Sequence, residues 1–163
     1  MDSSLNKILW YQFGAAIDML ENAIQACPIE LWVTKSMFWY NAYHCIFYLD
    51  YYLTDGSDSF MPPAPFTLSE FDPSGLLPPE VYTKEVLLNY LSFCRNKCHD
   101  KLANMTPESY EERFINTYRN YSVLEIILYN MRHVQHHAAQ LNLLLRQGID
   151  SAPAWVSRTN INL

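Results

Sequence analysis

Two histidines four residues apart, His133 and His137, have the type and spacing that indicate metal chemistry. On an α-helix, side chains at this spacing lie on one face, with their Cβ atoms roughly 5–6 Å apart. Both imidazoles can therefore reach one metal ion, which a histidine nitrogen binds at roughly 2.0–2.1 Å. His136 lies between them in sequence, but it points toward the polar flank of the helix and is the weaker candidate.

The helix that carries this pair is predicted to span residues 122–147. In a helical projection the two histidines share a sector with apolar residues and with Asn130, whereas Arg132 and Arg146 fall on the opposite side. The pair therefore points toward the core. A buried imidazole without a hydrogen-bond partner is unfavourable, so either ordinary polar partners or a metal ion must satisfy these rings.

A third histidine, His44, lies in the middle of another predicted helix. Residues 36–53 are apolar or aromatic nearly all round, which indicates a helix that is buried on most sides. Together with His133 and His137, this residue would give a divalent ion three nitrogen ligands and leave positions for water or substrate, as in catalytic zinc sites. Val134 stands where the zinc metalloprotease helix has its glutamate, so a protease is excluded. No carboxylate stands out as a general base.

The remaining pattern predicts an all-α protein. Two further long helices are predicted at residues 5–26 and 79–104, and a short helical piece at about 106–116. Between the second and third long helices, residues 54–79 hold six of the nine prolines. A connection of this length is uncommon inside a compact domain and can traverse a whole bundle. We therefore expect a four-helix bundle in which this crossover lets helices two and three run parallel.

Composition limits the classes of function. The length predicts one domain over residues 1–163, and the net charge of −6 argues against a nucleic-acid partner. No apolar run approaches transmembrane length and the start lacks a signal-peptide pattern, so we expect a cytoplasmic protein that does not bind membranes. Its four cysteines are then expected to be reduced, with Cys94 and Cys98 as small core residues. Trp155 is expected to anchor the irregular tail.

At these residues the sequence resembles the DinB/YfiT-like superfamily of metal-dependent enzymes. The resemblance covers essentially the full chain and rests on the aromatic second helix with His44, the proline-rich connection, and the segments 87–95, 133–141 and 153–156. It implies a four-helix bundle with up-down-down-up connectivity, frequently a homodimer. It also implies a metal ion bound by His44, His133 and His137. Gln140 matches a polar residue that commonly follows the histidine pair.

The resemblance implies an activity class as well. Some members are S-transferases that use bacillithiol or mycothiol, one is a mycothiol-dependent maleylpyruvate isomerase, and others have no known activity. The first hypothesis is therefore a metal-dependent thiol S-transferase that acts on a small-molecule substrate. A divalent ion such as Zn, Ni or Fe would lower the pKa of a low-molecular-weight thiol. The catalytic residues are not identified by sequence. Residues expected to orient ligands or line the pocket are Gln140, Asn130, Asn41, Tyr48 and Gln12.

Two other hypotheses stay open. The same fold could bind a metal or a partner without catalytic turnover, with the histidine site structural or vestigial. Alternatively, the protein is a plain bundle whose core histidines have ordinary hydrogen-bond partners. An assay distinguishes the enzyme from both alternatives. Only the enzyme should conjugate a thiol to an electrophile in a reaction that a chelator abolishes.

Overall fold

The computed structural model describes residues 2–163, with side chains from residue 4 onward. Its helices are α1 (Asp2–Ala26), α2 (Ile29–Trp32), α3 (Phe38–Tyr51), α4 (Lys84–Ala103), α5 (Pro107–Glu111) and α6 (Val123–Ile149). Two short antiparallel strands, β1 (Arg113–Ile115) and β2 (Asn120–Ser122), form a hairpin before α6. The regular secondary structure of the described chain is otherwise helical, which confirms the predicted all-α class.

The four long helices enclose one aromatic core. Helix α1 packs against α4 and α6, and α3 packs against the same two helices. Helix α3 is buried over most of its length, as its apolar sequence predicts. The up-down-down-up course of these helices stays a prediction. None of the helices in the described part of the chain is long and apolar enough to cross a bilayer.

Side-chain caps fix where the two later long helices begin. The Ser122 hydroxyl accepts a hydrogen bond from the Glu125 amide (3.2 Å), so α6 begins where it was predicted. The predicted start of the third long helix at Pro79 is wrong. Residues 79–83 are irregular, and α4 begins at Lys84 because the Thr83 hydroxyl caps the Val86 amide (3.2 Å).

The proline-rich crossover between α3 and α4 folds back over α3. It contains one 3₁₀ turn, Leu68–Phe71, and tyrosines of α3 hold this turn in place. The Tyr43 hydroxyl donates to the Thr67 carbonyl, and the Tyr48 hydroxyl donates to the Glu70 carbonyl, both at 3.1 Å. The crossover therefore contributes side chains to the surface of α3 that carries His44.

The prediction of a helical piece up to residue 116 is wrong beyond Glu111. Helix α5 ends there, and the chain turns into the hairpin, in which Phe114 pairs with Tyr121. Phe114 alone of its strand is fully buried, so the hairpin packs one side on the core. Three-residue strands carry too short an alternation to be recognised from sequence.

The tail is not anchored by Trp155, whose side chain is 69% exposed. Thr159 is buried instead, and its amide donates to the Tyr11 carbonyl (3.1 Å). The Trp10 indole donates to the Ile161 carbonyl (2.8 Å). The tail therefore docks on α1 through its own backbone groups. Backbone hydrogen bonds leave no mark in the sequence, so Trp155 was a misleading indicator of the anchor.

Candidate metal centre

Helices α3 and α6 bring the three predicted histidines together. One nitrogen from each of His44, His133 and His137 lies within 4.8 Å of the other two. The ring centroids of His133 and His137 are 4.5 Å apart, and that of His44 lies 5.6 and 4.9 Å from them. Nitrogens that share one tetrahedral ion at about 2.1 Å are roughly 3.4 Å apart, so small ring rotations suffice to gather the three. His136 is exposed on the flank, as predicted.

The environment of this cluster favours neutral imidazoles. Burial, followed by the neighbouring His137 and His44, lowers the pKa of His133 to about 3. Burial and His44 also lower the pKa of His137 to about 4, against an opposing hydrogen bond from the Gln140 side chain. Both rings are therefore neutral near pH 7, and the neutral imidazole is the form that binds a metal.

Unpartnered nitrogens test whether these residues fit a metal ion. The Nδ1 atoms of His133 and His137 are buried and have no hydrogen-bond partner. Leaving such atoms unpaired is unfavourable, and coordination or a metal-bound water would give them partners. Three imidazoles are also a donor set that suits Zn, Ni and Fe. The residues therefore fit a divalent ion.

A carboxylate that the sequence did not single out contacts this cluster. The Nδ1 atom of His44 lies 2.6 Å from Oε2 of Glu70, whose side chain is only 3% exposed. In the neutral ring this contact places the proton on Nδ1 and leaves the lone pair on Nε2. No sequence signal identified Glu70, because it is one of several acidic residues in a segment without periodicity.

Two of the residues predicted to surround the site lie beside it. The Tyr48 ring centroid is 4.9 Å from that of His44 and 5.8 Å from that of His133. The Gln140 side chain lies close enough to His137 to act against the burial that lowers the pKa of that imidazole. The roles of Tyr48 and Gln140 in ligand binding stay predictions.

The other three residues make contacts elsewhere. Asn130 is fully buried and donates to a backbone carbonyl of α3 (3.0 Å), so it joins the two helices that carry the histidines. Asn41 donates to two carbonyls at the start of its own helix (3.1 and 3.2 Å). Gln12 is exposed and donates to a carbonyl of the tail (3.4 Å). None of the three lines the cavity described next.

A cavity of about 660 Å³ opens beside the three histidines. This volume is that of a site for a small organic molecule. Aromatic side chains from α3, the crossover and α6 form much of its wall: Tyr48, Tyr51, Tyr52, Phe60, Phe71 and Tyr129. The arrangement can therefore hold an apolar ligand next to a metal ion.

Comparison with known proteins identifies the family. A family model described as the DinB superfamily matches residues 12–141. The chain belongs to the DinB superfamily. The matched span of this DinB-superfamily chain contains all three histidines and the whole crossover, and it confirms the resemblance drawn from the sequence. Comparisons with the curated proteins and with the solved structures find no match.

Proposed function

We propose that this DinB-superfamily protein binds a divalent metal ion and transfers a low-molecular-weight thiol to a small electrophilic substrate. The observation that carries this proposal is the cluster of three half-buried imidazoles, supplied by two helices, at the edge of an aromatic cavity. An ion with three protein ligands keeps open positions and lowers the pKa of a thiol bound there.

The residues of the chain have separate roles in this proposal. His44, His133 and His137 would hold the ion, and Glu70 orients the His44 ring by accepting a hydrogen bond from its Nδ1 atom. The aromatic wall binds the apolar part of the substrate and excludes water. Burial and the nearby Glu70 raise the pKa of Tyr48 to about 12, so this side chain remains a neutral phenol.

The reacting thiol must come from a second substrate. All four cysteines are free and buried, and none of them lines the cavity. Burial raises the pKa of Cys27 to about 11 and raises the pKa values of the other three further. Buried, protonated thiols are poor nucleophiles. A cosubstrate thiol therefore agrees with the chain better than a cysteine nucleophile does.

The course of the four long helices and the oligomeric state belong to the same proposal. We infer an up-down-down-up four-helix bundle, because each long helix packs against two others and the long crossover spans α3. The proposal also includes a homodimer, which the family resemblance implies.

Metal binding without turnover is the second candidate function. It is favoured by Glu70, since among the described side chains this is the carboxylate in contact with the cluster, and it is already engaged by His44 and is not free to act as a base. Under this alternative the histidine cluster stabilises the junction of α3 and α6.

Elemental analysis of the purified protein, followed by a conjugation assay, tests the proposal. Biological thiols are incubated with 1-chloro-2,4-dinitrobenzene, in which the thiolate sulfur forms a C–S bond as chloride leaves. We expect about one bound metal ion per chain and conjugation that a chelator abolishes. Bound metal without conjugation by any thiol would favour the second candidate, and a protein that binds no metal would refute both.

A further inference from the structure

The turn of the β1–β2 hairpin holds Arg119 at the wall of the cavity. The Asn116 side chain accepts hydrogen bonds from the amides of Tyr118 (2.9 Å) and Arg119 (2.8 Å). The Asn116 amide in turn donates to the Arg119 carbonyl (2.9 Å). The backbone at Arg119 is therefore fixed by local hydrogen bonds, and it directs the side chain toward α6.

Two tyrosines hold the guanidinium group without neutralising it. An Arg119 Nη2 hydrogen is donated to the Tyr129 hydroxyl (2.8 Å). The guanidinium carbon lies 4.9 Å from the ring centroid of Tyr129 and 5.4 Å from that of Tyr52, within the range of cation–π attraction. No carboxylate in the described part of the chain forms an ion pair with Arg119. Most of its five N–H donors remain available to a ligand.

Arg119 differs in charge from the other residues that line the cavity. Among the described residues that line the cavity it is the one cation. Of the three acidic residues there, Glu70 is engaged by His44, Asp72 accepts two hydrogen bonds from Ser74 (2.6 and 2.8 Å), and Asp58 is exposed. A half-buried guanidinium without an anion, beside a cavity of ligand size, is suited to an anionic ligand.

We propose that Arg119 binds the oxyanion of the substrate, so that the cavity selects organic acids with an aromatic or apolar body. The flat guanidinium pairs with a carboxylate or phosphate through two parallel hydrogen bonds, and the aromatic wall contacts the body of the molecule. The role of this molecule as the electrophilic substrate rests on the proposed function. Its binding through Arg119 does not require the metal ion.

Calorimetric titration of the metal-free protein tests the proposal. The ligands are 3-phenylpropionate, the neutral 3-phenylpropionamide and phenyl phosphate. We expect one or both oxyanions to bind roughly 10-fold more tightly than the amide, because a guanidinium forms stronger hydrogen bonds with a charged acceptor than with a neutral one. Tighter binding of 3-phenylpropionate identifies a carboxylate substrate, and tighter binding of phenyl phosphate identifies a phosphate ester. Arg119→Gln should remove this preference, and Arg119→Lys should leave part of it, because lysine keeps the charge but loses the planar pair of donors.

Arg132→Gln is the matched control. Arg132 is exposed on α6 and does not line the cavity, so its loss changes the net charge by the same amount and should leave the preference intact. An unchanged preference in both Arg119 variants, or no preference in the unsubstituted protein, would overturn the proposal. A separate metal titration of the same proteins distinguishes this failure from failure of the proposed function, which is the absence of metal binding.

Discussion

The contact between Glu70 and His44 joins the crossover to the histidine cluster at the level of single atoms. A carboxylate that accepts the Nδ1 proton of a metal-binding histidine fixes the orientation of the ring and makes its other nitrogen a better ligand. Glu70 is almost fully buried, so its contact with His44 (2.6 Å) is little weakened by water.

Glu70→Gln is expected to weaken metal binding roughly 10- to 100-fold. Glutamine has nearly the same shape and can still accept a hydrogen bond, but it lacks the negative charge that polarises the imidazole. The affinity is measured by titrating the metal-free protein with Zn²⁺ in a calorimeter. Asp58→Asn removes a charge from the same cavity without touching a histidine and should bind nearly normally. Equal affinities for the two variants would mean that the contact between Glu70 and His44 does not strengthen metal binding.

The histidine pair also predicts a pH dependence for the metal-free protein. The pKa values of His133 (about 3) and His137 (about 4) lie below the value of 6.5 expected in the unfolded chain. Between the folded-state pKa values and 6.5, the unfolded chain binds more protons than the folded chain does. The free energy of unfolding therefore falls as the pH falls below 6.5. We expect the melting temperature of the chelator-treated protein to decrease by several degrees from pH 7 to pH 5. The double variant His133→Gln/His137→Gln should show a smaller decrease, measured by circular dichroism.

At the scale of elements, helix α1 accommodates the tail because one of its residues is glycine. A Cβ atom at Gly14 would lie 2.6 Å from Cγ2 of Thr159, which is closer than real side chains approach. The tail is held there by the Thr159 amide, which donates to the Tyr11 carbonyl, and by the Ile161 carbonyl, which accepts from the Trp10 indole. The absence of a side chain at Gly14 thus lets Thr159 pack against α1.

Gly14→Ala is expected to destabilise the protein, although alanine is favoured over glycine within a helix by about 1 kcal/mol. The added methyl group must displace Thr159, so we expect a net loss of roughly 1–3 kcal/mol, measured by urea unfolding. Thr159→Ala removes the nearest methyl group and should partly rescue the variant in a double-mutant cycle. A gain in stability on Gly14→Ala would show that the tail does not dock at this position in solution.

At the scale of the whole molecule, the proposed metal binding couples to folding stability, because the three candidate ligands come from α3 and α6 and meet only in the folded chain. An ion at 100 times its Kd stabilises the folded state by about 2.7 kcal/mol. For a chain of this size that corresponds to a rise in melting temperature of roughly 5–10 °C.

His133→Ala should abolish this metal-dependent rise. The substitution also removes packing, so the comparison is between metal-loaded and chelator-treated samples of the same variant, measured by thermal unfolding. His136→Ala is the matched control, because this neighbouring histidine is exposed and lies outside the cluster. A full metal-dependent rise in His133→Ala would exclude His133 as a ligand.

The sequence by itself determined the four long helices, except for the start of α4, and the inward face that carries the histidines. Helical periodicity reports which side of a rod is buried, and the polar residues His44, His133 and His137 stand out on apolar faces because burying them requires partners. The family resemblance depends on the same residues and was confirmed over residues 12–141.

Only the tertiary structure decided which loop residues join the site. Glu70 and Arg119 lie in segments without periodicity, and their positions depend on tyrosine hydroxyls and turn hydrogen bonds that form only after the helices pack. For the same reason Gln12 and Asn41, polar residues on predicted helices, were assigned to the pocket although their hydrogen bonds go elsewhere. The local sequence pattern indicates whether a residue is buried. Its hydrogen-bond partner, in contrast, depends on contacts between segments that are distant in sequence.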